Sequence, residues 1–161
     1  MLWKKIKKIP FENVGTCLKQ VKKKSAISPW IEDIFLKKKK IKYTKYQNFE
    51  IHRLTLKKIG FKKAAKLKEV YKIFKKLNFE LVPPEIAIYL RLVYIKQPKG
   101  EWLRISVPFN SMIDSDGVPH LPKLGKALGR FFLETYWSYP DAIFHPHNEF
   151  LVIKFNDDKK N

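Results

Sequence analysis

The feature that most constrains the fold is a dense apolar and aromatic run at residues 77–107, in the middle of the chain. Nearly all of the excess positive charge lies before this run, and turn residues and two further aromatic-rich runs follow it. The run therefore predicts the centre of a hydrophobic core onto which a lysine-covered first half packs. A length of 161 residues is ordinary for one domain. We expect a single domain over 1–161, basic and helix-rich at 1–77 and sheet-rich at 78–161.

The start of the central run is constrained by two prolines. Pro83 and Pro84 favour an extended entry and then a helix start, because proline fits the first helical turn. The apolar residues that follow fit both a strand period and a helical face, so we predict one or two helical turns and then a strand over 91–95. A turn signal at 97–100 and alternation over 101–107 predict the returning strand of a hairpin.

The other segments complete an α+β prediction. Asn13 and Ser28 are suitable N-caps for two short helices, and residues 60–77 form an apolar stripe flanked by lysines, which predicts a third helix. Strands are predicted at 49–56, 118–121, 131–137 and 150–155, a tight turn at 114–117 and a loop at 122–130. We therefore expect N-terminal helices packed on an antiparallel sheet that is formed mainly by the C-terminal half.

The charge of the chain is strongly asymmetric. Residues 1–77 contain 24 Lys+Arg against 5 Asp+Glu, whereas residues 78–161 contain 10 of each, so the first half holds the whole net charge of +19. Of the basic residues 30 are lysine and 4 are arginine. Lysine is a solvated point charge, which favours delocalised attraction to polyanions over specific base reading. An AT-rich genome, which enriches Lys, Ile, Asn, Phe and Tyr together, is the alternative explanation.

The first functional hypothesis is a non-enzymatic binding protein that engages nucleic acid or another polyanion through the basic half. The candidate contacts are lysines that follow the second predicted helix or belong to the third: Lys37, Lys38, Lys39, Lys40, Lys62, Lys63, Lys66, Lys72, Lys75 and Lys76. Residues 37–40 also have a structural role, because cations at the C-terminal end of a helix interact favourably with its dipole.

The second hypothesis is a recognition module for ligands or proteins in a loop near the C-terminus. Its candidate contacts are the aromatic, acidic and histidine side chains of that loop: Trp137, Tyr139, Asp141, His145 and His147. An aromatic strand, a loop and a last strand are faintly similar to C-type-lectin-like domains, an analogy at fold level. The two histidines could bind a transition metal with Asp141 or His120, but the proline between them disfavours this, so no metal and no cofactor is predicted.

An enzyme built around His52 or the same two histidines is the third hypothesis and has the least support. Cys17 is the single cysteine, and its place in an apolar stripe predicts a core residue rather than a catalytic thiol. One cysteine also excludes a disulfide framework and favours a reducing cytoplasm. No apolar run approaches the roughly 18 residues of a membrane span. A cytoplasmic binding protein is therefore expected.

Several motifs in a fixed order cover nearly the whole chain: SPWIEDI at 28–34, PPE at 83–85, LRLVY at 90–94, QPKGEWLRI at 97–105, DSDG at 114–117 and EFLVIKF at 149–155. In these motifs the chain resembles a family of small uncharacterised proteins of candidate-phyla-radiation (Patescibacteria) bacteria. The resemblance implies no activity and no functional residues. Members of that family are less basic and have a glycine- and acid-rich link in place of residues 122–130, which implies that the charge of this chain is a property of its lineage.

Overall fold

The computed structural model describes residues 1–156. Within them the elements are β1 (Leu2–Lys8), α1 (Val14–Lys24), β2 (Ser25–Ile27), α2 (Pro29–Phe35), β3 (Gln47–Thr55), β4 (Ala65–Lys66), α3 (Leu67–Lys76), α4 (Pro84–Val93), β5 (Trp102–Ile105), β6 (His120–Ala127), β7 (Arg130–Trp137), β8 (Ile143–Phe144) and β9 (Glu149–Phe155). In this part of the chain, seven strands form one sheet in the order β1-β3-β9-β5-β6-β7-β2, and β4 pairs with β8. The sheet is mixed, because β5 runs parallel to β9 and β2 runs parallel to β7. The predicted α+β class is confirmed.

One face of the sheet is closed by helices. Alternate residues of a strand point to opposite faces, and five fully buried side chains share this face: Ile51, Leu103, Leu124, Leu133 and Leu151. On this face α4 contacts β6 and β7, α2 contacts β7, and α1 packs on α4 and contacts β2. Burying one such side chain stabilises the fold by about 1.5–3 kcal/mol. We call this side of the sheet the helical face.

The other face is covered over only part of its width. Phe74 of α3 and Phe144 of β8 pack against Phe150, with ring centroids 5.9 Å and 5.1 Å apart, and so cover the sheet at β9. Among residues 1–156 no helix packs on this face over β5, β6 and β7. We call the part over these three strands the open face; Phe144 of β8 borders it, with its ring centroid 5.2 Å from that of Tyr136. The open face is formed by the outward side chains of the three strands: Trp102, Arg104, Lys123, Phe132, Glu134 and Tyr136.

The two predicted N-caps are confirmed. The side-chain Oδ1 of Asn13 accepts a hydrogen bond of 2.9 Å from the Thr16 amide, which begins α1. The Oγ of Ser28 accepts one of 3.2 Å from the Trp30 amide, which begins α2 with Pro29 in its first turn. Strands β3, β7 and β9 also agree with the predicted segments to within two residues.

The predicted strand at 91–95, and with it the predicted hairpin, is wrong. Helix α4 continues to Val93, and β5 pairs with β6 and β9 instead. The reason is burial on several sides: Ile86, Ala87 and Ile88 are all fully buried, so the apolar pattern lacks the period of a helix with one solvated face.

The predicted helix at 60–77 begins later than expected. Gly60 has a φ of 108°, a left-handed conformation outside any right-handed helix, and α3 starts only at Leu67. The amides of Leu67 and Lys68 donate to the carbonyls of Ala142 and Pro140, at 2.8 Å and 2.9 Å. The segment before α3 therefore forms the short strand β4, and the helix prediction for Lys62, Lys63 and Lys66 is wrong.

The predicted loop at 122–130 is also wrong, because most of it belongs to β6. Proline inside a strand argued for a loop, since it lacks a backbone donor. The ladder between β5 and β6 covers Lys123, Leu124 and Gly125 only, so Pro122 lies one residue outside it. The missing donor of Pro122 therefore costs no hydrogen bond to β5, and the strand continues into the hairpin with β7.

Candidate functional site

The structure separates the candidate lysines of the basic half onto different parts of the molecule. Residues 37–40 follow α2 on the helical side, where the Lys39 carbonyl accepts from the Gly15 amide of α1 at 2.9 Å. Lys72, Lys75 and Lys76 belong to α3, which lies on the other side of the sheet. Lys66 is in β4, and Lys62 and Lys63 lie in the loop before it. These ten lysines therefore do not form one continuous surface.

A basic cleft of about 360 Å³ lies beside the first turn of α1 and includes Lys19, Lys22, Lys39 and Lys40. The backbone donors that would bind an anion at a helix N-terminus are already used there. The Val14 amide donates to Ile41, and the Gly15 and Thr16 amides also have partners within this segment. The cleft thus offers diffuse positive charge without a built anion site.

The residues of the C-terminal loop are engaged with α3 or with each other. Asp141 lies 3.7 Å from the Lys66 ammonium and 3.1 Å from that of Lys68, and Lys68 in particular holds the pKa of Asp141 below its usual range. The rings of His145 and His147 stack with centroids 5.9 Å apart. Among residues 1–156 no group of three His, Cys, Asp or Glu side chains could hold a metal ion.

Trp137 and Tyr139, the aromatic members of the same loop, are both exposed, with 62% of the Trp137 surface accessible. Trp137 lies directly across the strand pair from His120, and this places it on the helical face. Its chain neighbour Tyr136 points to the open face, because successive strand residues alternate.

The open face is built from rows of side chains that run across β5, β6 and β7. Trp102, Gly125 and Phe132 are paired in register and form one row. Arg104, Lys123 and Glu134 form the next. Tyr136 belongs to the row after that, opposite Leu121, and it packs against Phe144 with the ring centroids 5.2 Å apart. Aromatic and charged rows thus alternate along the strands, at spacings of about 7 Å.

The two cations of the charged row lie among the rings of its neighbours. The Lys123 ammonium is 4.8 Å from the Trp102 ring and 5.8 Å from the Tyr136 ring. The Arg104 guanidinium carbon is 5.9 Å from the Tyr136 ring and 5.8 Å from the Phe144 ring. Cation–π attraction therefore holds both cations in place while their aliphatic stems cover the sheet.

Gly125 makes the position of Trp102 possible. A Cβ atom placed on Gly125 would lie 2.2 Å from Cζ3 of the Trp102 ring, well inside van der Waals contact. The absence of a side chain lets the indole lie against the β6 backbone, beside Phe132 at a centroid distance of 6.2 Å. The row of Trp102, Gly125 and Phe132 thus depends on one glycine in β6, the middle strand of the three.

The charged row carries more positive than negative charge. Burial lowers the pKa of Arg104. Burial also lowers the pKa of Lys123; the positive charge of Arg104 lowers it further, and the Glu134 carboxylate raises it. Within the described residues the Arg104 side chain forms no ion pair, and its buried Nε has no hydrogen-bond partner. Because Nε is buried, a phosphate would reach only the two terminal nitrogens of the guanidinium, which have no acceptor within residues 1–156 and suit a phosphate oxygen.

Arg53, in the same sheet, is an arginine whose guanidinium nitrogens all have hydrogen-bond partners. Its guanidinium donates to both carboxylate oxygens of Glu149 at 2.8 Å and 2.6 Å, to Glu101 at 3.1 Å and to the Tyr94 hydroxyl at 3.1 Å. This network joins β3, β9 and the segment before β5. Its donors are occupied, so Arg53 has a structural role.

A buried polar cluster lies at the end of the helical face. His120 is 1% exposed, and its ring nitrogens lie 2.8 Å from the Asp114 carboxylate and 3.1 Å from the Thr135 hydroxyl. Asp114 also accepts from the amides of Asp116 and Val118, and the bond to His120 is the largest cause that lowers the pKa of Asp114. Both nitrogens of the histidine are occupied beneath Trp30, so the cluster fixes the predicted turn onto β6 and β7.

The sequence interpretation missed the open face because it missed β6. Residues 101–107 and 131–137 were both predicted as strands, and their alternation places Trp102 with Arg104, and Phe132 with Tyr136, on shared faces. The signal for the strand between them is weak, since residues 122–130 contain a proline and two glycines. Because β6 was not predicted, Lys123 and Gly125 could not be placed between β5 and β7.

Comparison with known proteins adds no further assignment, because no family model, no curated protein and no solved structure matches this chain. The C-type-lectin-like architecture is therefore not confirmed, and the resemblance to Patescibacteria proteins stays a prediction. In the part of the chain that the structure describes, no helix is both long and apolar enough to cross a bilayer.

Proposed function

We propose that this protein binds single-stranded nucleic acid on the open face, without catalysing a reaction. The observation that carries the proposal is the alternation of aromatic and charged rows on a sheet surface that no described helix covers. Unpaired bases stack on aromatic rings presented by a sheet, and stacking accepts every base. Trp102, Phe132 and Tyr136 supply the rings, and Arg104 and Lys123 lie between them for the phosphates.

The lysines of the first half have a different part in this proposal. They lie on both sides of the sheet and outside the rows of the open face, so they contribute long-range attraction rather than a contact within those rows. Such attraction weakens steeply with salt, because it depends on the release of counterions from the nucleic acid. A cytoplasmic location, which the single cysteine favours, belongs to the same proposal.

The test is fluorescence anisotropy with short single-stranded and double-stranded DNA and RNA across a range of salt, with heparin as a polyanion without bases. We expect single strands to bind more tightly than duplexes and to outcompete heparin at physiological salt. Equal binding of all these polyanions, lost at physiological salt, would show that the charge acts alone and would overturn the proposal.

Two neighbouring residues of β7 provide a matched pair of variants. Tyr136→Ala removes a ring from the open face, and Trp137→Ala removes a more exposed ring from the opposite face. Loss of one stacked base costs about 1–3 kcal/mol, which is roughly a five-fold to hundred-fold weaker affinity. We expect that loss for Tyr136→Ala and for Trp102→Ala and little change for Trp137→Ala. The lectin-like alternative predicts the opposite order, with its ligand lost on Trp137→Ala.

A further inference from the structure

A groove of about 520 Å³ lies between α3 and the segments that contain Phe79 and Phe109. Its lining is mainly hydrocarbon, from Tyr71, Phe79, Leu81 and Phe109. The rings of Tyr71 and Phe109 lie 4.8 Å apart, and the Tyr71 hydroxyl donates at 2.7 Å to the Val107 carbonyl. The tyrosine therefore presents its ring to the groove and keeps its polar end bonded inside the protein.

The rim of the groove is positively charged. Lys68, Lys72 and Lys75 recur at intervals of four and three residues and lie on the side of α3 that carries Tyr71. The Lys154 ammonium adds a further charge 4.7 Å from the Phe79 ring. Lys68 is paired with Asp141, whereas within residues 1–156 Lys72 and Lys75 form no ion pair.

These two properties select one class of occupant. We infer that the groove binds a free fatty acid, with the acyl chain on the aromatic floor and the carboxylate beside Lys72 and Lys75. The volume lies within the range of about 300–1,000 Å³ that small-molecule sites occupy, and an apolar lining with a few charged groups at one edge is their usual composition. Among the described residues that line the groove, Glu80 is the single acidic one, so the rim repels a cation and attracts an anion.

The site is separate from the open face, and the inference does not rest on the proposed function. Tyr71, Lys72 and Lys75 are on α3, whereas the rows of the open face are on β5, β6 and β7. It also gives Lys72 and Lys75, two of the predicted nucleic-acid contacts, a defined ligand in place of diffuse attraction.

The probe for this site is laurate, measured by isothermal titration calorimetry below its micelle concentration. Dodecanol has the same chain without charge, and dodecyltrimethylammonium has the same chain with a positive head. We expect laurate to bind saturably, dodecanol to bind about ten-fold more weakly because it lacks a charge-assisted bond, and the cationic probe not to bind. Equal binding of laurate and dodecanol would overturn the inference, as would absence of saturable laurate binding.

A matched pair of double variants locates the site. Lys72→Gln with Lys75→Gln removes two rim charges, and Lys63→Gln with Lys76→Gln removes two lysines that do not line the groove. We expect the first pair to weaken laurate binding about ten-fold and the second to change it by less than about two-fold. Equal losses would show that net charge alone acts. Binding to anionic phospholipid vesicles without binding to free laurate would assign the groove to a membrane surface and would also overturn the inference.

Discussion

Arg91 and Arg104 lie on opposite faces of the sheet and differ in the hydrogen bonds of their guanidiniums, although both lie near aromatic rings. On the helical face, Arg91 of α4 is 3% exposed and donates to the carbonyls of Gly125, Phe132 and Tyr94 at 3.1 Å, 3.1 Å and 2.8 Å. On the open face, Arg104 lies over rings and forms no hydrogen bond from its side chain within residues 1–156. Both arginines have a buried Nε without a partner, so the difference lies in the terminal nitrogens: backbone carbonyls accept from those of Arg91, whereas those of Arg104 have no acceptor within residues 1–156 and can bind a ligand.

The largest expected effect separates these two arginines by stability. Arg91→Ala removes bonds from a charged donor to buried carbonyls, and bonds of that kind contribute about 1.5–3 kcal/mol each. We expect the variant to lose about 3 kcal/mol or more of unfolding free energy in urea titrations. Burial lowers the pKa of Arg91 to about 10, so the side chain is still charged at neutral pH. Arg104→Ala is the control, and an equal loss in both variants would remove the distinction between the faces.

Gly125→Ala tests the contact between the β6 backbone and the Trp102 ring. The new Cβ would overlap the Trp102 ring, and overpacking of this kind costs about 1–3 kcal/mol. We expect lower stability together with weaker binding of single strands, because the ring must move. In a Trp102→Ala background the same substitution should cost much less, since the overlap is gone. Simple additivity of the two changes in the unfolding titrations would contradict this geometry.

The sequence predicts the covered parts of the molecule better than the uncovered one. Caps such as Asn13 and Ser28 act within a few residues, so local chemistry reveals them. For α4 the sequence predicted only the first one or two turns, because a helix buried on several sides lacks the polar stripe that reveals a helical period. Strand β6 was missed because Pro122 and Gly125 are tolerated only through the register of their neighbours, which is a tertiary property. The open face depends on that register and could not be assembled from single segments.

A smaller effect is expected from Arg104 itself. If its guanidinium binds one phosphate, Arg104→Gln should reduce the slope of log affinity against log salt by about 0.7, the value for one contact on a single strand. Arg104→Lys should keep that slope and lose part of the affinity, because lysine lacks the planar fork. Anisotropy titrations at several salt concentrations measure both quantities. An unchanged slope in Arg104→Gln would exclude the phosphate contact.

The smallest expected effect concerns the helical face, where we expect the buried Cys17 thiol not to be alkylated. Cys17 of α1 is fully buried, and burial raises the pKa of its thiol to about 12. Because the unfolded thiol ionises at lower pH than the folded one, this group lowers stability as the pH rises above about 8.5. We expect iodoacetamide to leave the native protein unmodified at pH 8 and to label it in urea, as read by mass spectrometry. Rapid native labelling would show that the helical layer opens readily.

The most direct test of the open face is photocross-linking with a single-stranded oligonucleotide that carries a halogenated uracil, followed by peptide mass spectrometry. Stacked bases form adducts with the rings that they contact, so the account predicts adducts on Trp102, Phe132 or Tyr136. Adducts confined to Trp137 or Tyr139 would contradict it.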